Sequence, residues 1–166
     1  MKKPFKNTKQ LKPPVFFLDR NLGLKLAEIL RRANFAVLAH QEHYGPGAQR
    51  VSDPEVISEC GRLKYPLLTA DGNLPFTFAT EIRNAKIAVF LLSNNHEGPE
   101  VWGPRVISAK LDMEREWYGR ARPYTAHINR EGRVSYVMRY YRKKVKKTSV
   151  KKGDHLEFSY EAPMQG

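Results

Sequence analysis

Four short apolar runs, at 15–18, 35–39, 66–70 and 87–92, contain no charged side chain and are each too brief to be a buried helix. Runs that are continuously apolar, rather than alternating with polar residues, suit strands covered on both faces, and such strands belong to parallel sheets flanked by helices. The segments between them agree. Leu22, Leu26, Ile29, Leu30 and Ala33 recur at helical spacing, with Lys25, Glu28, Arg31 and Arg32 on the other side and Asn21 placed to cap the start. Ser52-Asp53-Pro54-Glu55 combines a capping residue, a first-turn proline and a glutamate three places after the serine, which predicts a helix running to about Leu63. Asp71-Gly72-Asn73 turns into a short helix with Pro75 in its first turn and Phe78 and Ile82 facing inward.

The remaining joints read less regularly. Residues 40–50, with Gly45-Pro46-Gly47, read as a loop, and a polar loop at 93–103 leads to a helix from Pro104 whose core contacts are Val106, Leu111, Met113 and Trp117. After Gly119 the texture changes: residues 126–128 and 133–140 flank Asn129-Arg130-Glu131-Gly132, whose ends suit a type I turn, so a β-hairpin is expected there, with 156–160 as one more strand. The predicted fold class is α/β, a small doubly wound, mainly parallel four-stranded sheet with a basic β-hairpin extension. The expected division is a basic tail at 1–14, an α/β domain at 15–118 and a basic β-rich extension at 119–166.

The formal charge of +12 sits at the ends of that plan. Residues 1–14 hold five lysines and no acid, residues 15–114 hold 11 basic and 12 acidic side chains, and residues 115–152 hold 13 basic and two acidic ones. A near-neutral body between two cationic segments is the pattern of a protein that binds a phosphate backbone, although lysine-rich ends also serve solubility alone. A single cysteine, Cys60, forms no internal bridge, and no apolar run approaches the length of a signal-peptide core or a membrane span, so a soluble cytoplasmic protein with no membrane partner is expected.

Asp19 and Asp71 stand at strand ends and Asp53 at a helix start. In doubly wound sheets ligands bind beyond the carboxyl ends of the strands where the strand order reverses, so these three can face one crevice. Converging carboxylates repel one another unless a cation lies between them, and hard oxygen donors suit Mg²⁺ or Mn²⁺, ions that activate water for phosphodiester hydrolysis. Each acid also has a plainer reading: Asp19 as a turn residue, Asp53 as a helix cap, Asp71-Gly72 as a turn. His40, His43 and His96 do not have the setting of a zinc site, and Cys60 reads as core.

Asp19-Arg20-Asn21-Leu22 after the first strand, Ser52-Asp53 opening a helix and Thr69-Ala70-Asp71 ending the third strand together resemble the PIN-like domain nucleases, especially the compact branch related to VapC-type ribonuclease toxins, over roughly 15–117. The resemblance implies a PIN-like sheet of order 2-1-3-4 and an RNA-cleaving Mg²⁺ or Mn²⁺ site with Asp19, Asp53 and Asp71 as catalytic ligands. Asn21, Asn73, Glu55, Ser93 and Asn94 stand as supporting groups. At Asn73 the sequence departs from the family, which commonly carries an aspartate there. Arg130, Arg133, Arg139, Arg142, Lys143 and Lys144, interleaved with Tyr136 and Tyr140, are the expected contacts to single-stranded or looped RNA. Other readings are a PIN-like RNA-binding module whose catalysis is weakened through Asn73, and a toxin-like subunit that binds an acidic antitoxin protein or pairs with a second copy.

Overall fold

The structure, a computed structural model, describes residues 12–93 and 96–140. Six strands form one sheet in the order β2-β1-β3-β4-β5-β6: β1 (Val15–Leu18), β2 (Ala36–Ala39), β3 (Leu67–Thr69), β4 (Ala88–Leu92), β5 (Tyr124–Ile128) and β6 (Val134–Arg139). β1 to β5 pair in parallel and β6 returns antiparallel to β5. The order 2-1-3-4 and the mainly parallel character are therefore as expected, but the sheet has six strands, not four, and β6 makes it mixed.

That difference has a physical cause. β4 is buried along its whole length, so an unpaired edge there would strand backbone amides and carbonyls away from water. β5 occupies the edge in register, from Ala88 opposite Tyr124 to Leu92 opposite Ile128. Helices α6 (Pro99–Ser108) and α7 (Lys110–Gly119) supply the long crossover that a parallel neighbour requires. The hairpin expected as an appendage is thus the far side of the same sheet. Its predicted turn is present, with the Gly132 amide donating to the Asn129 carbonyl at 3.1 Å.

Side chains alternate across the strands and make two cores. Phe16, Leu18, Leu68, Phe90 and Ala126 pack beneath α1 (Gly23–Arg32), α6 and α7, where Leu26, Leu30, Trp102, Val106 and Met113 meet them. Phe17, Leu67 and Val89 face α3 (Asp53–Leu63), α4 (Leu74–Thr77) and α5 (Ala79–Ala85) through Val56, Ile57, Cys60, Leu74 and Ile82. Because α1 covers one face and α3 the other, the chain changes face between β1 and β3.

Three local expectations are corrected. Residues 40–50 are not loop but α2 (His40–Tyr44) followed by a 3-10 turn, Gly45–Arg50. The Glu42 carboxylate accepts from the Ala39 amide at 3.0 Å and pairs with Arg31 at 2.6 Å, a partner 11 residues distant that local spacing does not reveal. α6 begins five residues before Pro104, with Pro99 in its first turn, and tolerates Pro104 on an exposed face. The first helix is not capped by Asn21: Asp19 caps a 3-10 turn, Arg20–Leu22, and α1 starts after it. No helix among the described residues is long and apolar enough to cross a membrane.

Gly132 fixes the hairpin against α6. Its φ is +72°, and an added Cβ would stand 2.6 Å from the Ser108 Cβ and 2.8 Å from the Arg105 carbonyl oxygen. Gly132→Ala is expected to lower stability by about 2 kcal/mol or more and to shift the one cooperative urea transition of the whole domain. An unchanged midpoint would mean that the hairpin is not built into the core.

Candidate active site at the carboxyl edge of the sheet

Because β1 and β3 are parallel neighbours in register, their ends lie side by side, and the residues that follow them are Asp19 and the Ala70-Asp71 pair. A cleft of about 460 Å³ opens there, lined by Asp19, Asp53 and Asp71 together with Arg20, Asn21 and Arg50. Three acids far apart in sequence thus share one opening at the switch point of the sheet.

Thr69, the last residue of β3, joins two of them. Its fully buried hydroxyl donates to Asp19 Oδ2 at 2.6 Å and accepts from the Asp71 amide at 3.1 Å. Asp19 Oδ1 accepts from the Arg20 amide at 2.7 Å, so both of its oxygens are held. Asp71 Oδ1 accepts from the Asn73 amide at 2.9 Å, a turn that fixes the carboxylate.

Burial is the main force on Asp19, whose side chain is nearly closed off from water, and it pushes the carboxyl above its ordinary range. The hydrogen bonds from Thr69 and Arg20 act in the opposite direction, while the charge of Asp53 adds to the upward push. Asp53 occupies the first position of α3, but it is not the cap. Ser52 is, with its hydroxyl accepting from the Glu55 amide at 3.4 Å while Glu55 Oε2 accepts from the Ser52 amide at 2.7 Å. The Asp53 carboxylate is left with no hydrogen bond or ion pair among the described residues, and the helix N-terminus favours its negative charge.

The other expected groups separate. Asn21 lines the cleft. Asn73 contributes its backbone amide to Asp71, and its side chain is exposed outside the cleft lining. Glu55 is committed to the capping box. Ser93 lies at the end of β4, not at the cleft; its hydroxyl donates to the Ile128 carbonyl at 3.1 Å and sits 2.8 Å from His127 Nε2. Asn94, Arg142, Lys143 and Lys144 lie outside the described residues. His40 and His43 pack edge-on against Phe17 rather than forming a metal set.

The hairpin cations do not form one surface. Arg130 is exposed in the turn at the carboxyl edge, and Arg133 pairs with Asp112 at 2.7 Å. Arg139 stands at the opposite edge, where β6 ends beside Tyr124. Tyr136 stacks on His127, with ring centroids 4.5 Å apart. Tyr140 is spent on packing: its hydroxyl is 2.7 Å from Thr125 Oγ1 and donates to the Pro75 carbonyl at 3.2 Å, and burial raises its pKa to about 12.

Sequence reasoning passed over the site roles of Thr69, Arg20 and Arg50. Arg20 donates to the carbonyls of Gln49 at 3.2 Å and Val51 at 2.5 Å, holding the wall of the cleft, and Arg50 presents an exposed charge at its mouth. Thr69 was visible only as part of a motif, since a buried hydroxyl reads as strand from composition.

Among the described residues, no group of three or more His, Cys, Asp or Glu side chains is placed to hold a metal ion together. The acids share an opening without closing round a point. A divalent ion held by this cleft would therefore have to take one or two carboxylates and keep several waters, as Mg²⁺ can, rather than be caged wholly by protein.

Residues 14–94 match the family described as PIN-like domain, just under half of the 166-residue chain and including β1 to β4 and all three aspartates. PIN-like domains are commonly nucleases, so the match suggests a nuclease-type activity in general terms. Neither the comparison with curated proteins nor that with solved structures gives a match.

Two outcomes follow from the geometry. Asp19→Asn removes a charge that burial disfavours, so it is expected to raise stability at neutral pH. The sign follows from the raised carboxyl: above its folded pKa wild type carries the buried charge, and below it both proteins are neutral there, so the gain vanishes as pH falls toward the unfolded value. Melting curves across that range measure it. Thr69→Val leaves the Asp71 amide without its acceptor and is expected to cost about 1–3 kcal/mol.

Proposed function

We propose that the chain hydrolyses RNA phosphodiesters with the help of Mg²⁺ or Mn²⁺ at the cleft of Asp19, Asp53 and Asp71. The observation that supports this most is the buried carboxylate of Asp19 kept within reach of the charge of Asp53, an arrangement unfavourable in itself and relieved by a cation. RNA as the polymer rests on the resemblance of the motifs around Asp19 and Asp71 to those of VapC-type ribonucleases, and the cationic ends fit a polyanion.

Bound there, the ion would neutralise charge on the scissile phosphate and make water more acidic. Asp19 and Asp53 would hold it, Asp19 with its orientation fixed by Thr69 and the Arg20 amide. Asp71 Oδ2, the oxygen that the Asn73 amide leaves uncommitted, accepts a proton from the attacking water. Arg50 meets a non-bridging phosphate oxygen at the mouth, while the Arg20 guanidinium, already spent on two carbonyls, keeps the wall in place.

Cleavage of a structured RNA should require Mn²⁺ or Mg²⁺, stop with chelator, and fall at least about 100-fold in kcat in Asp71→Asn and Asp53→Asn. Ser52→Ala separates site from cap: it should cost about 1 kcal/mol of stability and leave kcat intact. Metal-independent cleavage, or full activity in both aspartate variants, would refute the proposal.

A further inference from the structure

The opposite edge of the sheet carries a second, chemically different surface. Two adjoining hollows of about 660 and 510 Å³ share the segment Gly119–Arg122 and run past the amino-terminal ends of β4 and β5. Their lining includes Lys64, Lys86, Arg115, Arg120, Arg122 and Arg139, against one acid, Glu116. Glu116 is already neutralised by Arg120 at 2.5 Å, and Arg115 leans toward Asp112 at 3.5 Å. Lys64, Lys86 and Arg139 have no ion pair among the described residues, and Arg122 rests over the Trp117 ring, 4.1 Å from its centroid.

Two further features single this groove out. Lys64 and Lys86 end α3 and α5 in the left-handed conformation, with φ of +59° and +54°, where glycine or asparagine is the easier residue. Both helices thus project a lysine into one groove from a backbone geometry that lysine seldom adopts. Second, the cations stand among aromatic rings: Trp117, Tyr118 and Tyr65 line the same hollow, and Tyr118 is partly exposed, its hydroxyl donating to the Lys12 carbonyl at 3.0 Å. Unpaired cations suit any polyanion, but cations set among aromatic rings suit phosphates that carry bases.

We infer that this groove binds a single-stranded nucleic acid along its phosphate backbone, separately from the acidic cleft. The 11 residues of α3 link the two sites, from Asp53 at its first residue to Lys64 at its C-cap, about 16 Å of helix. The groove therefore anchors a strand on one edge of the sheet whose other part can reach the opposite edge. This assignment stands whether or not the cleft cleaves.

The test is binding of a short oligouridylate to the full chain without divalent metal, in a Lys64→Gln, Lys86→Gln, Arg139→Gln triple variant, with Trp117 emission followed against a Trp117→Phe protein. The neutral replacements remove the charges and keep unbranched polar side chains at those positions. Expected are a loss of affinity of about tenfold or more at low salt, a fall of about 2 in the slope of log K against log salt for three lost phosphate contacts, and loss of Trp117 quenching. Arg133→Gln, on another face, should leave that quenching intact. Unchanged affinity and slope in the triple variant, or no quenching of Trp117 by the oligonucleotide, overturns the inference. So does a groove that takes polyglutamate in preference to the oligonucleotide, which would reassign it to an acidic protein. Asp71→Asn should bind like wild type, so loss of cleavage in that variant bears on the cleft alone.

Discussion

The hydrogen bond from Thr69 to Asp19 at 2.6 Å joins the ends of two parallel strands that are 50 residues apart in sequence. It exists because β1 and β3 are neighbours and because the chain changes face between them, so that no helix covers their carboxyl ends. A buried carboxylate without a donor would be forced to take up a proton or open to water. With the Thr69 hydroxyl and the Arg20 amide on its two oxygens, Asp19 is held at one orientation. The same hydroxyl accepts from the Asp71 amide, which passes that fixed position to the second acid.

From this pairing the two edges of the sheet acquire opposite characters. Strands that all run one way bring their carboxyl ends, and the polar residues that follow them, to one side. The helices that return the chain start near that side and end on the other. α3 begins beside the acidic cleft with Asp53 at its positive end and finishes with Lys64 at its negative end, and both placements agree with the helix dipole. α5 ends in the same way with Lys86. The separation of acid and base across the domain is thus a consequence of parallel topology combined with ordinary helix-end preferences, and it spares the acidic cleft from neutralisation by the cations of the other edge.

The four apolar runs and their order were legible because burial on both faces leaves a continuous signature. Asp19 and Asp71 were legible too, since a polar residue directly after such a run has to lie at a strand end. What escaped depended on contacts distant in sequence. Residues 40–50 contain Gly-Pro-Gly and read as loop, but Glu42 meets Arg31, and the His40 ring sits 2.7 Å from the Ala48 carbonyl while packing on Phe17. The hairpin was found but not its attachment, because nothing local to Tyr124 states that β4 needs a parallel neighbour. Tyr140 looked like a base-stacking residue beside arginines and is instead bonded to Thr125 and Pro75. Alternation of charge and ring in a sequence does not show which side of a strand each occupies.

Asn73 then takes on a different weight from the one its sequence position suggests. It stands where the resemblance to PIN-like nucleases leads one to expect an acid, and a missing carboxylate would matter most if its side chain belonged to the cleft. Here the side chain is exposed and outside that lining, and the contribution of the residue is its amide to Asp71 Oδ1, which any residue except proline supplies. An aspartate at 73 would set a further negative charge two residues from Asp71, on the side where Asp71 already has its amide partner. The charge of the cleft is instead set by Asp19, Asp53 and Asp71 against Arg20 and Arg50, and Arg20 is committed to two backbone carbonyls. The acid balance of the cleft therefore rests on Asp19, Asp53 and Asp71, and the amide of Asn73 serves to orient one of them.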